Sequence, residues 1–199
     1  MVSRVWIYFE GDATLRPGFH AFFQDLVSMA RARRIRFRMV AGEATAVADF
    51  ARGMRSAPAD THVLLIDSEG PIEQDPVSAL MRRGDAGALA SVAITPDQVF
   101  FMVQVMEAWF LADVQALHDF YGQGFVAARL PARPRVEGIP KADVLDGLRE
   151  ATKGTSKGAY HKTRHAPDLL ARLSVGEVRA CADNCARIFA VLGRILDSP

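Results

Sequence analysis

The chain has 199 residues, 50% of them apolar and 24% charged, a length and balance that suit one globular domain with its own core. With 24 Lys and Arg against 23 Asp and Glu the net charge is +1, so no overall field draws the protein to nucleic acid or membrane, and any basic surface has to be local. No apolar run approaches the roughly 18 residues needed to span a bilayer. The opening MVSRVWIYFEGD lacks the basic region, long apolar stretch and small-residue cleavage site of a signal peptide. Two cysteines, Cys181 and Cys185, cannot make a zinc site alone; buried thiols on one helix face, in a reducing cytoplasm, are the expectation.

Residues 4–9, RVWIYF, form an apolar run rich in aromatic and β-branched residues and predict a buried strand. Phe19, Phe22, Phe23, Leu26, Val27 and Ala30 recur at helical spacing, predicting a helix from about 17 to 33 with Pro17 in its first turn. IRFRMV alternates, with Ile35, Phe37 and Met39 on one face and Arg36 and Arg38 on the other, as in a strand with one wet face. EATAVADFARGMR reads as a second helix, and HVLLID, 62–67, as another buried strand. This β-α-β-α-β order implies a parallel sheet with helical crossovers.

SEGPIEQDP is a loop and PVSALMRRG a short helix. QVFFMVQVM, 98–106, predicts a fourth apolar strand running straight into a helix, EAWFLADVQALHDFYG, that buries Trp109, Phe110, Leu111 and Leu117. From there the texture changes. RLPARPRVEGIPK, 129–141, holds three prolines and four basic residues and excludes long regular structure. KADVLDGLREAT suggests a short helix, KGTSKGAYHKTRH a polar loop, and 174–197 a last helix burying Val178, Cys181, Cys185, Ile188, Leu192 and Ile195. The expected fold class is α/β: an open, mainly parallel sheet flanked by helices, with a C-terminal helical extension. Residues 1–119 would form the core, and 120–199 the basic loops and helices packed on it within a single domain.

Chain direction places chemistry at one edge of such a sheet. Glu10 ends the first strand, Asp67 ends the third with Glu69 two residues on, and Glu107 follows the fourth. In an open parallel sheet, ligands bind in the crevice at the carboxyl ends of the strands. Crowded carboxylates raise one another's pKa unless a cation neutralises them. Oxygen-only ligands of this kind suit Mg²⁺ or Mn²⁺. Gly11 and Gly70 leave room for tight turns just past the acids. A lone acid at a strand end is commonly a solvated residue or a helix cap; it is the set and its order that point to a metal. The chain contains no P-loop, nucleophile elbow, HExxH or dinucleotide fingerprint.

IYFEGD followed by LLIDSEG resembles the Toprim core shared by primases, type II topoisomerases and OLD-type nucleases. That core binds Mg²⁺ for phosphoryl chemistry through a glutamate after its first strand and an Asp-x-Asp after a later one. The order FEGD, LLIDSEG, FFMVQVMEAWFLAD and KGAYHKTRHAPDLL is similar to a bacterial Toprim-like family of unknown function, often encoded beside AAA-type or SMC-like ATPases in phage-defence loci. The resemblance covers nearly the whole chain, and VQVMEAWFLAD is its most specific piece. It implies a Toprim-like fold, Glu10 as the Toprim glutamate, Asp67 as the first aspartate, and Glu69 where aspartate is usual, a longer reach that alters metal geometry. Gln104 and Glu107 match the family's own acidic patch.

The activity that follows is metal-assisted phosphodiester cleavage of DNA or RNA, with Glu10, Asp67 and Glu69 as ligands, Glu107 as a further ligand or base, and Lys162 meeting charge on the phosphate. Residues 120–172 carry ten Lys and Arg against five Asp and Glu, a local excess that suits a polyanion. Arg133, Arg135, Lys157, His161, Lys162 and Arg164 are the candidate phosphate contacts, with Tyr160 placed to stack on a base. The expected partners are nucleic acid and a nearby-encoded ATPase. The alternative is a non-catalytic scaffold that docks on the ATPase or binds nucleic acid without cutting.

Overall fold

A computed structural model describes residues 4–132 and 134–198. Four strands, β1 (Arg4–Phe9), β2 (Arg36–Ala41), β3 (Thr61–Asp67) and β4 (Val99–Met102), form one sheet in the order β2-β1-β3-β4. Every pairing is parallel, with Phe9 opposite Ala41 and Leu65, and Asp67 opposite Met102. Helices α1 (Arg16–Phe22), α2 (Gln24–Ala32), α3 (Ala46–Ser56), α4 (Pro76–Met81) and α5 (Val114–Tyr121) accompany the sheet; α6 (Lys141–Thr152), α7 (Lys162–Leu170), α8 (Val175–Cys181) and α9 (Asp183–Asp197) complete the chain.

The strands read as near-continuous apolar runs because both faces of the sheet are covered. Alternate side chains point to opposite faces. Tyr8, Leu64, Ile66 and Phe101 pack with Val47 and Phe50 of α3 and Leu80 of α4. Ile7, Phe9, Leu65 and Met102 pack on the other side with Phe19, Phe22, Trp109 and Leu192. Trp109 stacks on Phe22, centroids 5.1 Å apart, and is 1% exposed. Burying aromatics of this size contributes about 1.5–3 kcal/mol each. β2 and β4 are the edge strands, and β2 is the wetter one: Arg36 and Arg38 are exposed and Phe37 and Met39 half-buried, as alternation predicts.

Several elements end earlier than periodicity predicts. The helix expected over 17–33 is two, broken at Phe23, whose backbone (φ −92°, ψ 16°) leaves the helical region although the apolar spacing continues. The last helix likewise breaks at Ala182, where the backbone is extended, so Cys181 and Cys185 lie on different helices; Cys185 is buried and Cys181 half-buried. The strand predicted over 98–106 stops at Met102 because Gln104 takes φ 65°. Met106–Ala112 is then a 3₁₀ turn rather than the start of α5. The predicted loop over KGTSKGAYHKTRH gives way to α7 at Lys162, a helix that accommodates Pro167.

Helix α7 is pulled against the N-terminal half. At Gly18 in α1, a Cβ would come within 2.5 Å of the Pro167 carbonyl oxygen and 2.8 Å of Leu170 Cβ. Only a missing side chain permits so close an approach. Among the described residues, no helix is long and apolar enough to cross a membrane.

Candidate functional site

Strand order fixes the site. The chain passes from β1 to β2 on one side and returns to β3 on the other, so the carboxyl ends of β1 and β3 flank the point where the winding reverses, the usual ligand crevice of an open α/β sheet. Glu10 follows β1, its N–H bonded to the Leu65 carbonyl at 3.0 Å, and Asp67 ends β3. Arg83, in the loop after α4, staples the two ends. It donates to the Asp67 carbonyl oxygen at 2.7 Å and reaches Glu10 Oε2 at 3.4 Å, with Asp85 as its further partner at 3.1 Å. Partial burial raises the Glu10 pKa, as does the nearby Glu69 charge, with Arg83 opposing.

Asp67 is 4% exposed. Its Oδ1 accepts the Met106 N–H at 2.8 Å, and its Oδ2 lies 3.7 Å from Lys162 Nζ. Burial, reinforced by Glu107 and Glu10, pushes its pKa from 3.8 to about 7 against the pull of Lys162. Glu107 sits on the 3₁₀ turn and has no exposed surface. Its Oε1 accepts the Tyr160 hydroxyl at 2.9 Å and lies 3.7 Å from the same Lys162 ammonium, while its Oε2 has no hydrogen-bond partner. Lys162 thus bridges two buried acids from the first turn of α7. Burial works against its charge, but Glu107, Asp67, Glu10 and Glu69 together raise its pKa.

The loop between these acids is conformationally unusual. Glu69 (φ 61°) and Gln104 (φ 65°) both occupy the left-handed region, costly for residues with a Cβ. They face each other across the strand ends: Glu69 N–H donates to the Gln104 carbonyl at 3.0 Å, and Gln104 N–H to Ser68 Oγ at 2.7 Å. The turn expected of Gly70 is therefore made by Glu69, while Gly11 takes φ 140°. Glu69 is exposed and ion-paired to Lys141 at the start of α6.

The acids share one rim without forming a ready cage. Among the described residues, no three His, Cys, Asp or Glu side chains gather as a metal-binding group. Mg²⁺ seldom uses such a cage; it is commonly held by one or two carboxylates together with substrate phosphates. Glu10 and Asp67, all-oxygen donors at the carboxyl ends of the neighbouring strands β1 and β3, fit that mode. Glu69, turned out to Lys141, does not join them as the side chains stand.

The candidate phosphate contacts are scattered. Arg135 pairs with Asp183 at 2.6 Å, and Lys157 lies over the Phe120 ring at 4.8 Å. Arg164 is exposed on α7, and Arg133 lies outside the described residues. His161 stands at the N-terminal boundary of α7, with no capping bond from its side chain, and is exposed. Tyr160 is 6% exposed with its hydroxyl on Glu107, so it serves the acids rather than offering a face for stacking. Burial, and then Glu107, drives its pKa far above that of free tyrosine. His165 is buried, its Nδ1 accepting from the Tyr121 hydroxyl at 3.0 Å and the His161 N–H at 3.2 Å, a structural role. Arg83 and the Tyr160–Glu107 bond were invisible to sequence reasoning, since no local pattern marks either.

A cleft of about 410 Å³ opens beside these groups, lined by Lys141, Arg149, Lys162 and His161 on its polar side and Val105 and Leu145 on its apolar side. A family model matches residues 12–192; its description is Domain of unknown function (DUF4276). No curated protein and no solved structure matches the chain.

Proposed function

Since the chain belongs to the DUF4276 family, whose description carries no activity, its function has to be argued from its own site, and we propose that it is a nuclease hydrolysing phosphodiesters at the carboxyl ends of β1 and β3. The observation that carries this reading is the convergence of Glu10, Asp67 and Glu107 on one rim with Lys162 between the two most buried acids. The resemblance to Toprim nucleases points the same way, and it supplies the rest of the proposal: recruitment by an AAA or SMC-like ATPase partner in phage defence.

Each residue has a task. Lys141, Arg149 and Lys162 would draw the phosphate in, and Lys162 would face the charge that develops on its oxygens. Glu107, wholly buried beside Lys162, is the acid that would accept a proton from the attacking water. Arg83 holds the ends of β1 and β3 in register. Mg²⁺ or Mn²⁺, held by Glu10 and Asp67 with the substrate phosphate, would polarise that phosphate.

The test is cleavage of supercoiled plasmid and of single-stranded DNA and RNA with Mg²⁺ or Mn²⁺. Wild type is expected to cut, and Glu10→Gln and Asp67→Asn to lose about a hundredfold or more in rate while remaining folded by circular dichroism. Variants that cut at the wild-type rate overturn the assignment. One observation favours a second reading, a non-catalytic scaffold: Glu10, Asp67 and Glu69 are each already matched by a basic side chain. Wild-type protein inert on every substrate, alone and with its ATPase partner, would establish that reading.

A further inference from the structure

The cleft beside the acids has a definite size and lining. Its volume of about 410 Å³ falls within the roughly 300–1,000 Å³ of small-molecule sites. Lys141 and Arg149 reach it from α6 and Lys162 from α7, while Val105 and Leu145 give an apolar wall.

Two of these cations are only loosely engaged. Lys141 pairs with the half-exposed Glu69, and Arg149 with Asp146 at 2.9 Å, both side chains more than half exposed. Exposed pairs of this kind contribute little, so an incoming phosphate can take over their donors. A second, independent observation lies in the same lining. Glu107 is wholly buried, yet its Oε2 has no partner. Leaving a buried acceptor unsatisfied is costly, and a ligand hydroxyl or amine is a fitting donor for it.

We propose that this cleft seats a single nucleotide unit: its phosphate among Lys141, Arg149 and Lys162, its nucleoside against Val105 and Leu145, and one of its donor groups toward Glu107. The proposal rests on the nuclease reading for its biological sense and narrows it. The substrate then enters as a chain end or unpaired nucleotide, because a cleft of this size admits one unit and not a duplex.

Binding can be measured without any chemistry. Deoxyadenosine 5′-monophosphate, inorganic phosphate and a blunt DNA duplex are titrated calorimetrically into the full chain at low salt. The mononucleotide is expected to bind saturably, more tightly than phosphate, and to compete with a single-stranded oligonucleotide but not with the duplex. Lys141→Ala and Arg149→Ala are each expected to weaken it about tenfold or more. Leu145→Trp, which fills the cleft from a half-buried position, is expected to abolish binding; melting curves of all three variants confirm that they fold. Absence of saturable mononucleotide binding overturns the proposal. So does phosphate binding as tightly as the mononucleotide, or binding indifferent to both Arg149→Ala and Leu145→Trp. Mononucleotide binding by a protein that cuts nothing sustains the cleft assignment and removes the nuclease reading, while cutting without such binding does the reverse.

Discussion

Replacing Asp67 by asparagine should make the protein more stable, by an amount that depends on pH. In the folded chain this carboxyl is 4% exposed and titrates at about 7, against 3.8 for an ordinary aspartate. Between those values the folded state holds a proton that the unfolded chain has released. Stability therefore falls as pH rises through the window and levels off above about 7. The window spans about three pH units, which at ~1.36 kcal/mol each amounts to roughly 4 kcal/mol. Asparagine keeps the acceptor for the Met106 N–H and leaves Lys162 its contact with Glu107, but has no proton to release. The stability of the variant relative to wild type should thus grow by up to roughly 4 kcal/mol between pH 4 and pH 7.5. Urea melts across that range would show it as a midpoint difference widening by on the order of 1–2 M, for a slope near the upper end of ~1–3 kcal/mol per M. If the two midpoints stay parallel with pH, Asp67 is not the buried, proton-holding acid the geometry implies.

Lys162→Met should move the same titration the other way, since it removes the cation that opposes burial at Asp67. The extra loss of stability at pH 8, about 1–2 kcal/mol once the 45% exposure of the lysine side chain is allowed for, should fade toward pH 4; a pH series of urea melts checks it. Gly53→Ala tests the opposite face of the sheet. A methyl there would collide with the Tyr8 hydroxyl and come 3.0 Å from His62 Nδ1. The overpacking, about 1–3 kcal/mol, should exceed the ~1 kcal/mol that alanine gains in a helix. Adding Tyr8→Phe should restore only part of the loss, because the ring Cζ would still lie 2.7 Å from the methyl and the Tyr8–His62 hydrogen bond is gone; thermal melts of the single and double variants check it.

How far the sequence reveals this molecule depends on the range of each signal. β1 and β3 were legible because a strand covered on both faces must be apolar throughout, and RVWIYF and HVLLID are. Glu10 and Asp67 stood out because each interrupts such a run at its end. The breaks at Phe23 and Ala182 were not legible: apolar spacing runs on through both, and tertiary packing decides where the axis turns. β4 was overextended because Val103 and Val105 are as buried as strand residues, while the reversal at Gln104 is a backbone event with no glycine to announce it. Lys162 was noticed for its charge but placed in a loop, since α7 is polar in its first turn and carries Pro167. Arg83 reaches Glu10 across 73 residues and Tyr160 reaches Glu107 across 53, separations at which one sequence carries no pairing information.

The close approach at Gly18 bears on how the protein is made. Glu10, Asp67 and Glu107 are synthesised before the ammonium that lies between them, which arrives only when α7 docks on α1. Until α7 has been made and has docked, the sheet carries its negative rim without that counter-charge. A cut in the segment between α6 and α7 would likewise leave the rim attached to one fragment and its lysine to the other, tying assembly of the site to the integrity of the polypeptide.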